Sequence, residues 1–247
     1  MKKILLPLLS LLLFSTCKKG HEFDCFKNSG EIVTETRDLD NFTELKVSQK
    51  FEVELKQDIT QTPKIEITFN KNLMHGISHE VKNNVLELKD NNKCNWVRSF
   101  DNKPIVKIYY QDISNISIEG SAIVFNKDTM QVNSLKINHG GLEDASLRVN
   151  NLYFLECNSF NAGGFILKGF AGVLAATMDD IAVLDARDLI TDDLYFFQYS
   201  IKDAHVKSRQ RMEIKLFGKG NVHIHEKPSN NSFVNLQQNG KGEFKFY

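Results

Sequence analysis

Two histidines near the C-terminus have a spacing that could bind a transition metal. His223 and His225 stand in Val222-His223-Ile224-His225-Glu226, so a strand would place both imidazoles on one face. Imidazole nitrogens are ligands for zinc, copper and nickel. Two ligands do not complete a metal site, and a solvated outward pair, with Val222 and Ile224 facing the core, is the competing interpretation. We therefore expect no cofactor and no resident metal. His223 and His225 are the candidate ligands if a metal binds.

Aspartates crowd a stretch of 25 residues, where they could supply the acid, base or metal ligands of a polysaccharide-acting enzyme. Most of them fall in predicted turns, where Asp is favoured because it accepts local backbone hydrogen bonds. The spacing of these aspartates does not place them above one another in successive solenoid units. The sequence also contains no nucleophile elbow, phosphate loop or dinucleotide fingerprint. The sequence therefore favours a non-enzyme. These residues are Asp179, Asp180, Asp185, Asp188, Asp192, Asp193 and Asp203.

An aromatic run offers a candidate ligand surface. Tyr195, Phe197 and Tyr199 alternate with Leu194 and Phe196, so a strand places the first three side chains on one face. Outward aromatic rings could bind a sugar or a protein, whereas packing against a neighbouring segment is the alternative. Trp96 with Arg98 forms a second candidate contact surface, with the same alternative.

The N-terminus is typical of an exported bacterial lipoprotein. Two lysines precede an apolar run from Ile4 to Phe14, which is too short for a comfortable membrane span and ends at Ser15-Thr16-Cys17. The segment resembles a lipobox, so we expect residues 1–16 to be a signal peptide and Cys17 to carry the lipid anchor. An ordinary signal peptide followed by an incidental cysteine is the alternative. Because Lys18-Lys19 lacks an inner-membrane retention Asp, we expect an outer-membrane lipoprotein, on its periplasmic or its surface side.

Three further cysteines would enter an oxidising compartment. Strand alternation predicts that Cys157 is buried together with Tyr153 and Leu155. Cys25 lies just before the first strand and Cys94 lies in a polar, hairpin-like stretch, so both are predicted to be partly accessible. We therefore expect a disulfide between Cys25 and Cys94.

The composition excludes several classes of protein. Hydrophobic residues make up 41% of the 247 residues, and 31 Lys and Arg balance 31 Asp and Glu. These values are those of a globular chain, and the zero net charge provides no basic surface for nucleic acid. The sequence therefore predicts no nucleic-acid partner.

The strands that must position these residues repeat along the chain. Apolar and polar residues alternate from Glu31 to Asp112, and Asn83-Asn84 is typical of a hairpin turn. Beyond Asp112, strand-like segments recur every 18 to 21 residues. Such units bury their apolar faces by stacking. The sequence thus predicts an all-β, parallel β-helix-like solenoid of about 20 residues per unit after a strand-rich N-terminal region. Consecutive hairpins of an antiparallel sandwich are the alternative, and the two Gly-Lys-Gly segments near the end are typical of a cap.

This pattern resembles the family of putative auto-transporter adhesin head (GIN) domains, which occur in secreted bacterial lipoproteins. The resemblance covers about residues 25–245. It implies a β-solenoid and adhesion, but no ligand or catalytic residue that can be carried over. The segments that carry the resemblance, besides the units of about twenty residues, are Asp38–Val47 leading into Phe51–Leu55, Cys25-Phe26 before Gly30, and Asn92–Ser99.

We therefore expect a non-enzymatic cell-envelope protein, anchored to the membrane by lipid, that acts as an adhesin or binding module for glycan or protein. A carbohydrate-active enzyme of the parallel β-helix type and a self-assembling structural protein are the alternatives. The expected parts are residues 1–16 (signal peptide), 17–30 (linker), 31–111 (strand-rich part) and 112–247 (solenoid with a C-terminal cap).

Overall fold

The computed structural model describes residues 28–92, 103–228 and 233–247. Several predicted features lie outside these residues and remain predictions: the signal peptide and lipidation, the disulfide, and the second contact surface. The residues concerned are Cys17, Cys25, Cys94, Trp96 and Arg98.

The described residues form a nearly all-β structure, with 61% strand and 2% helix. The N-terminal elements are β1 (Ile32–Asp38), β2 (Glu44–Val47), β3 (Glu52–Gln57), β4 (Lys64–Asn70), the short helix α1 (Lys71–Met74), β5 (Ile77–Lys82), β6 (Val85–Asp90) and β7 (Ile105–Tyr110). The elements of the repeating part are β8 (Asn115–Ile118), β9 (Ile123–Phe125), β10 (Met130–His139), β11 (Ala145–Ser159), β12 (Phe165–Met178), β13 (Leu184–Gln198), β14 (Ala204–Lys207), β15 (Arg211–Leu216), β16 (Val222–Glu226), β17 (Val234–Gln238) and β18 (Phe244–Phe246). No helix among the described residues has the length and apolar content needed to cross a membrane.

The repeating part is a β-solenoid of about six turns with roughly 20 residues per turn, as the sequence predicts. Strands β8 to β18 pair in parallel between turns, which excludes the antiparallel sandwich. Inward side chains stack in columns, which make a continuous core because each turn covers the apolar side chains of the next. One such column consists of Leu135, Leu155, Leu174, Leu194 and Met212, each at most 1% exposed.

Each turn has two main strand faces. Face A contains β9, β14, β16 and β18, and face B contains β8, β10, β15 and β17. Strands β11, β12 and β13 begin on face A and end on face B, with a register shift along each path. The chain leaves face B and re-enters face A through a sharp bend, which we call the B–A corner, at residues 140–144, 160–164, 179–183, 199–203, 217–221 and 239–243.

The N-terminal region is joined to the same sheet. Strands β2 and β3 pair in parallel with β8 and β9, whereas β1, β4 and β7 pair antiparallel. The predicted hairpin joins β5 and β6, and Asn83 and Asn84 take positive φ angles of 51° and 65°. Phe69, Leu73 and Met74 are buried around α1, so this region shares one core with the solenoid.

A buried polar side chain closes several of the B–A corners. In three turns, the last residue of face B is buried and donates a hydrogen bond to the backbone carbonyl four residues later. This bond satisfies a carbonyl that the bend removes from the sheet ladder. The three bonds run from His139 to Glu143 at 2.7 Å, from Ser159 to Gly163, and from Gln198 to Lys202 at 2.6 Å.

Glycine is required where successive corners approach closely. A Cβ atom on Gly218 would lie 2.1 Å from the carbonyl oxygen of Ser200, and one on Gly242 would lie 2.0 Å from that of Gly220. The two Gly-Lys-Gly segments therefore occupy the same corner in consecutive turns, and β17 and β18 continue the parallel pairing beyond the first of them. Close stacking, rather than the twisting of a last strand, accounts for these glycines.

Cys157 is buried as predicted, and its burial raises the pKa of the thiol. Its predicted neighbour Tyr153 is instead 65% exposed. The alternation fails because the register shifts between Asn151 and Phe154. The buried Asn151 amide donates to the Phe154 carbonyl and accepts from the Tyr153 N–H, which holds this bulge in place.

Candidate functional site

Exposed apolar side chains follow the B–A corner from turn to turn. They stand one or three positions after the last inward residue of face B. Backbone hydrogen bonds such as Ile201 N–H to Asp180 O at 2.9 Å hold successive corners in register. We call this set the corner ridge: Leu142 (54% exposed), Phe160 (59%), Ile181 (38%), Tyr199 (44%), Ile201 (54%) and Phe217 (39%).

The corner ridge is long and regularly spaced. It crosses four steps between turns, and a strand spacing of ~4.8 Å makes it about 19 Å long. One column of corner positions contains Phe160, Tyr199 and Phe217, and a parallel column contains Leu142, Ile181 and Ile201. Because the paired backbone fixes these positions, the ridge residues stand on a rigid scaffold.

An aromatic pair forms the C-terminal part of the ridge. The rings of Tyr199 and Phe217 stack with centroids 4.7 Å apart and planes 6° from parallel. Each ring thus covers one face of the other. A shallow groove of about 440 Å³ lies beside them. Its polar lining is Lys219, Asn239 and Lys241.

Charged residues divide the ridge. Asp179 and Asp180 lie between Phe160 and Tyr199 along the corner, and the Asp179 carboxylate accepts the N–H of Asp180 at 2.8 Å. Lys219 and Lys241 continue the column of Ile201 in the last two turns. The ridge therefore presents apolar contacts, an acidic step and a basic end, a pattern that could select a complementary protein surface.

The three predicted aromatic residues lie outward but do not form one flat platform. Tyr195 and Phe197 lie on face B, whereas Tyr199 lies on the corner beyond the end of β13. The Arg211 guanidinium lies 5.3 Å from the Tyr195 ring centre, and the Lys215 ammonium lies 5.5 Å from that of Phe197. Cations therefore lie over both face-B rings.

The two predicted histidines belong to a cluster of three. His223 and His225 lie on β16, and His205 lies beside them on β14 in the preceding turn. The Nδ1 atom of His205 lies 2.9 Å from Nε2 of His225, and the rings of His205 and His223 stack at 4.5 Å. Sequence reasoning missed His205, although it precedes His225 by 20 residues, which is one turn.

Burial lowers the pKa values of His205 and His225, and the positive charge of Arg187 lowers them further. His223 is held differently: its Nε2 lies 2.9 Å from the Asp203 carboxylate and its Nδ1 lies 2.9 Å from the Tyr247 hydroxyl. Across the described ranges, no group of three or more His, Cys, Asp or Glu side chains has the arrangement of a metal site.

The crowded aspartates make separate local contacts. Asp185 accepts two hydrogen bonds from Arg187, at 2.9 and 2.7 Å, which lower the pKa of its carboxyl. Asp188 lies 3.4 Å from the Lys168 ammonium, on a different strand. These contacts are those of solvated surface residues rather than of a catalytic pair.

Comparison with known proteins identifies the family. A family model described as "Putative auto-transporter adhesin, head GIN domain" matches residues 41–228, about three quarters of the chain. The chain belongs to this family. The GIN-domain match covers β2 to β16 completely, including the corner ridge and the histidine cluster. A search of curated proteins returns no match to this chain.

Solved structures share the fold of this GIN-domain chain. A putative adhesin from Bacteroides fragilis aligns with a TM-score of 0.80 and 19% identity, over 88% of this chain and 97% of the other. A putative adhesin from Parabacteroides distasonis aligns at 0.68 and 18% identity, over 88% and 98%. A protein from the same organism described as a putative lipid binding protein aligns at 0.60 and 18%, over 87% and 97%. At these identities, the likeness concerns the fold.

The GIN-domain family is described as one of auto-transporter adhesins, and this description suggests a non-enzymatic protein of the cell surface or envelope. This class agrees with the sequence-based expectation at its coarser level.

Proposed function

We propose that this protein is a non-enzymatic adhesin of the cell envelope that binds a partner protein through the corner ridge. The observation that carries the proposal is the two columns of exposed apolar side chains along one corner, which Asp179 and Asp180 interrupt. Clusters of exposed apolar side chains bordered by polar residues are characteristic of interaction sites.

The geometry of the rings favours a protein partner. Sugar recognition by aromatic side chains uses an open ring face, whereas Tyr199 and Phe217 each cover one face of the other, which reduces the open ring surface. Aliphatic side chains such as Ile201 and Leu142 suit the close packing of a protein interface. Asp179 and Lys219 supply charges that fix the register of a partner.

A glycan is the second candidate partner, and the groove beside Phe217 favours it. Lys219, Lys241 and the Asn239 amide line this groove and could donate hydrogen bonds to sugar hydroxyl or carboxylate groups. Such binding would use the groove, not the face that carries Tyr195 and Phe197.

The test compares the chain beginning at Lys18 with two variants. The ridge variant replaces Phe160, Ile201 and Phe217 by Ser, and the matched control replaces Leu152 and Tyr153 by Ser. Leu152 and Tyr153 are 57% and 65% exposed but lie away from the B–A corner, so the control removes similar apolar surface.

Binding is measured on immobilised extracellular-matrix proteins and on a glycan array, after circular dichroism shows that all three chains fold. We expect the ridge variant to lose at least tenfold in affinity for a bound protein, while the control keeps it. Equal binding by both variants would contradict the role of the ridge. Glycan binding that is lost on Lys219→Ala with Lys241→Ala would favour the groove instead.

We also propose that a lipid on Cys17 anchors the mature chain in the outer membrane, which the lipobox-like segment supports. Cells that make the natural chain or the Cys17→Ser variant are labelled with a tagged fatty acid and fractionated. The anchor is supported if only the natural chain carries the fatty-acid label and is recovered in the outer membrane. It is contradicted if both chains lack the label and are recovered equally in the outer membrane.

A further inference from the structure

The histidine cluster brings side chains from two turns together at one end of face A. Parallel pairing puts His205 of β14 directly beside His223 of β16, and His225 follows two residues later on β16. Tyr247 stacks on both β16 histidines, with ring centres 5.6 Å from His223 and 5.2 Å from His225. The imidazoles are thus held in place by rings on either side.

Two nitrogen atoms of this cluster converge. His205 Nδ1 and His225 Nε2 lie 2.9 Å apart, so one of these nitrogens carries the proton that the other accepts. Two ligands that each lie ~2.05 Å from a metal at a right angle are themselves about 2.9 Å apart. The spacing between the two imidazoles is therefore that of a pair of adjacent metal ligands.

His223 does not take part in this pair. Its two ring nitrogens are engaged by the Asp203 carboxylate and the Tyr247 hydroxyl, each at 2.9 Å. The pair that the strand spacing suggests, His223 with His225, is therefore replaced by a pair across turns. His205 Nε2 and His225 Nδ1 make no hydrogen bond among the described residues, so each can hold the remaining ring proton.

Charges of both signs lie near the cluster, because the Arg187 and Lys207 cations stand beside it as well as two carboxylates. Asp185 and Asp203 lie near the cluster, and the guanidinium of Arg187 is paired with Asp185 at 2.7 Å.

We infer that His205 and His225 form a two-histidine chelate for a divalent transition metal that takes ligands at a right angle, namely Cu²⁺ or Ni²⁺. Imidazole favours these metals, and Cu²⁺ heads their order of affinity. Among the described residues, no third protein ligand converges on the pair, so water completes the coordination. The metal replaces the shared proton, which moves to the outer nitrogen of the imidazole that carried it.

The test titrates the untagged mature chain with Cu²⁺ and, separately, with Ni²⁺, and follows binding by calorimetry. Electron paramagnetic resonance of the Cu²⁺ complex reports the nitrogen ligands. The variants are His205→Ala and His225→Ala, with His75→Ala as the matched control because His75 is an exposed histidine far from the cluster in sequence. His223→Gln tests the alternative pair along β16.

We expect one metal per chain, at least tenfold weaker binding in His205→Ala and in His225→Ala, and less than threefold change in His75→Ala and His223→Gln. Two nitrogen ligands should be seen for Cu²⁺ in the natural chain and fewer in the two ligand variants. Binding unaffected by His205→Ala, no binding by the natural chain, or loss in His223→Gln with retention in His205→Ala would each overturn the inference. Far-UV circular dichroism shows that each variant is folded, and a metal-induced rise in melting temperature, absent in both ligand variants, provides the second readout.

Discussion

His139 offers the sharpest test of how the B–A corners are closed. The imidazole is fully buried and packs edge-on against Phe165, with ring centres 5.6 Å apart. Its Nε2–H donates to the Glu143 carbonyl at 2.7 Å, and its Nδ1 accepts the Gly141 N–H at 3.0 Å. These two bonds fix the neutral tautomer, because a carbonyl only accepts and a backbone N–H only donates.

Replacing His139 by Leu keeps a side chain of similar size. It leaves the Glu143 carbonyl and the Gly141 N–H without their hydrogen-bond partner. Each buried polar group left without a hydrogen bond costs about 1–3 kcal/mol. Gly141 is buried, whereas the Glu143 carbonyl is nearer to solvent, so we expect the His139→Leu variant to lose about 2–4 kcal/mol in free energy of unfolding at pH 7.5.

We expect the difference in free energy of unfolding between the natural chain and His139→Leu to be smaller at acid pH. Burial lowers the pKa of His139 in the folded state, so between this value and the ordinary value of about 6.5 the unfolded chain binds more protons. The stability of the natural chain therefore falls as the pH drops below about 6.5. Protonation also puts a hydrogen on Nδ1, which then no longer accepts the Gly141 N–H. The His139→Leu variant lacks this imidazole, so its stability does not fall through protonation at this position.

Urea unfolding, followed by circular dichroism at pH 7.5 and at pH 5, measures the two chains in parallel. The difference in free energy of unfolding between the two chains is taken at each pH. Comparing the value at pH 7.5 with the value at pH 5 cancels the contributions of the other histidines, which both chains contain. Each unit by which the folded pKa is lowered should narrow the gap by up to about 1.4 kcal/mol. A gap that stays constant or widens at pH 5 would refute the hydrogen-bonding scheme.

Three further predictions concern the corners and the cysteines. Gly218→Ala should lower the free energy of unfolding by more than ~1 kcal/mol because its Cβ would meet the Ser200 carbonyl, whereas Gly140→Ala, whose Cβ has its nearest neighbour at 3.9 Å, should stay within about 1 kcal/mol; urea unfolding compares them. Cys157 should resist a thiol reagent in the folded chain and react in urea, because burial excludes the reagent and raises the thiol pKa; fast labelling without urea would contradict its burial. Reduction of the predicted Cys25–Cys94 bridge should cost about 4 kcal/mol in the chain-entropy account, and mass spectrometry of unreduced peptides tests whether the bridge exists.

The sequence predicts the coil well because its signal is repeated. Apolar residues such as Leu155, Leu174 and Leu194 recur about one turn apart, and each lies in the core. The hairpin at Asn83-Asn84 is also predictable, since positive φ is a local property of the residue type.

The candidate site is less predictable because it depends on departures from strand alternation. Tyr153 is exposed because a bulge shifts the register, and the ridge residues Leu142 and Ile201 stand in corners, where alternation has no meaning. The repeat period of about 20 residues links His205 to His225. Strand alternation instead pairs His225 with His223, because both lie on the same strand. Contacts between turns require the register, which the structure supplies.

The hydrogen bonds that close the corners have a consequence for how this surface can vary. In His139 to Glu143 and Gln198 to Lys202, the donor and acceptor are only four residues apart, so each closing bond forms within one short segment. Outward side chains in these segments, such as Leu142 and Ile201, take no part in the closing bond. Substitutions at these outward positions can therefore change the surface one turn at a time, as long as the glycines at the close approaches between turns are kept.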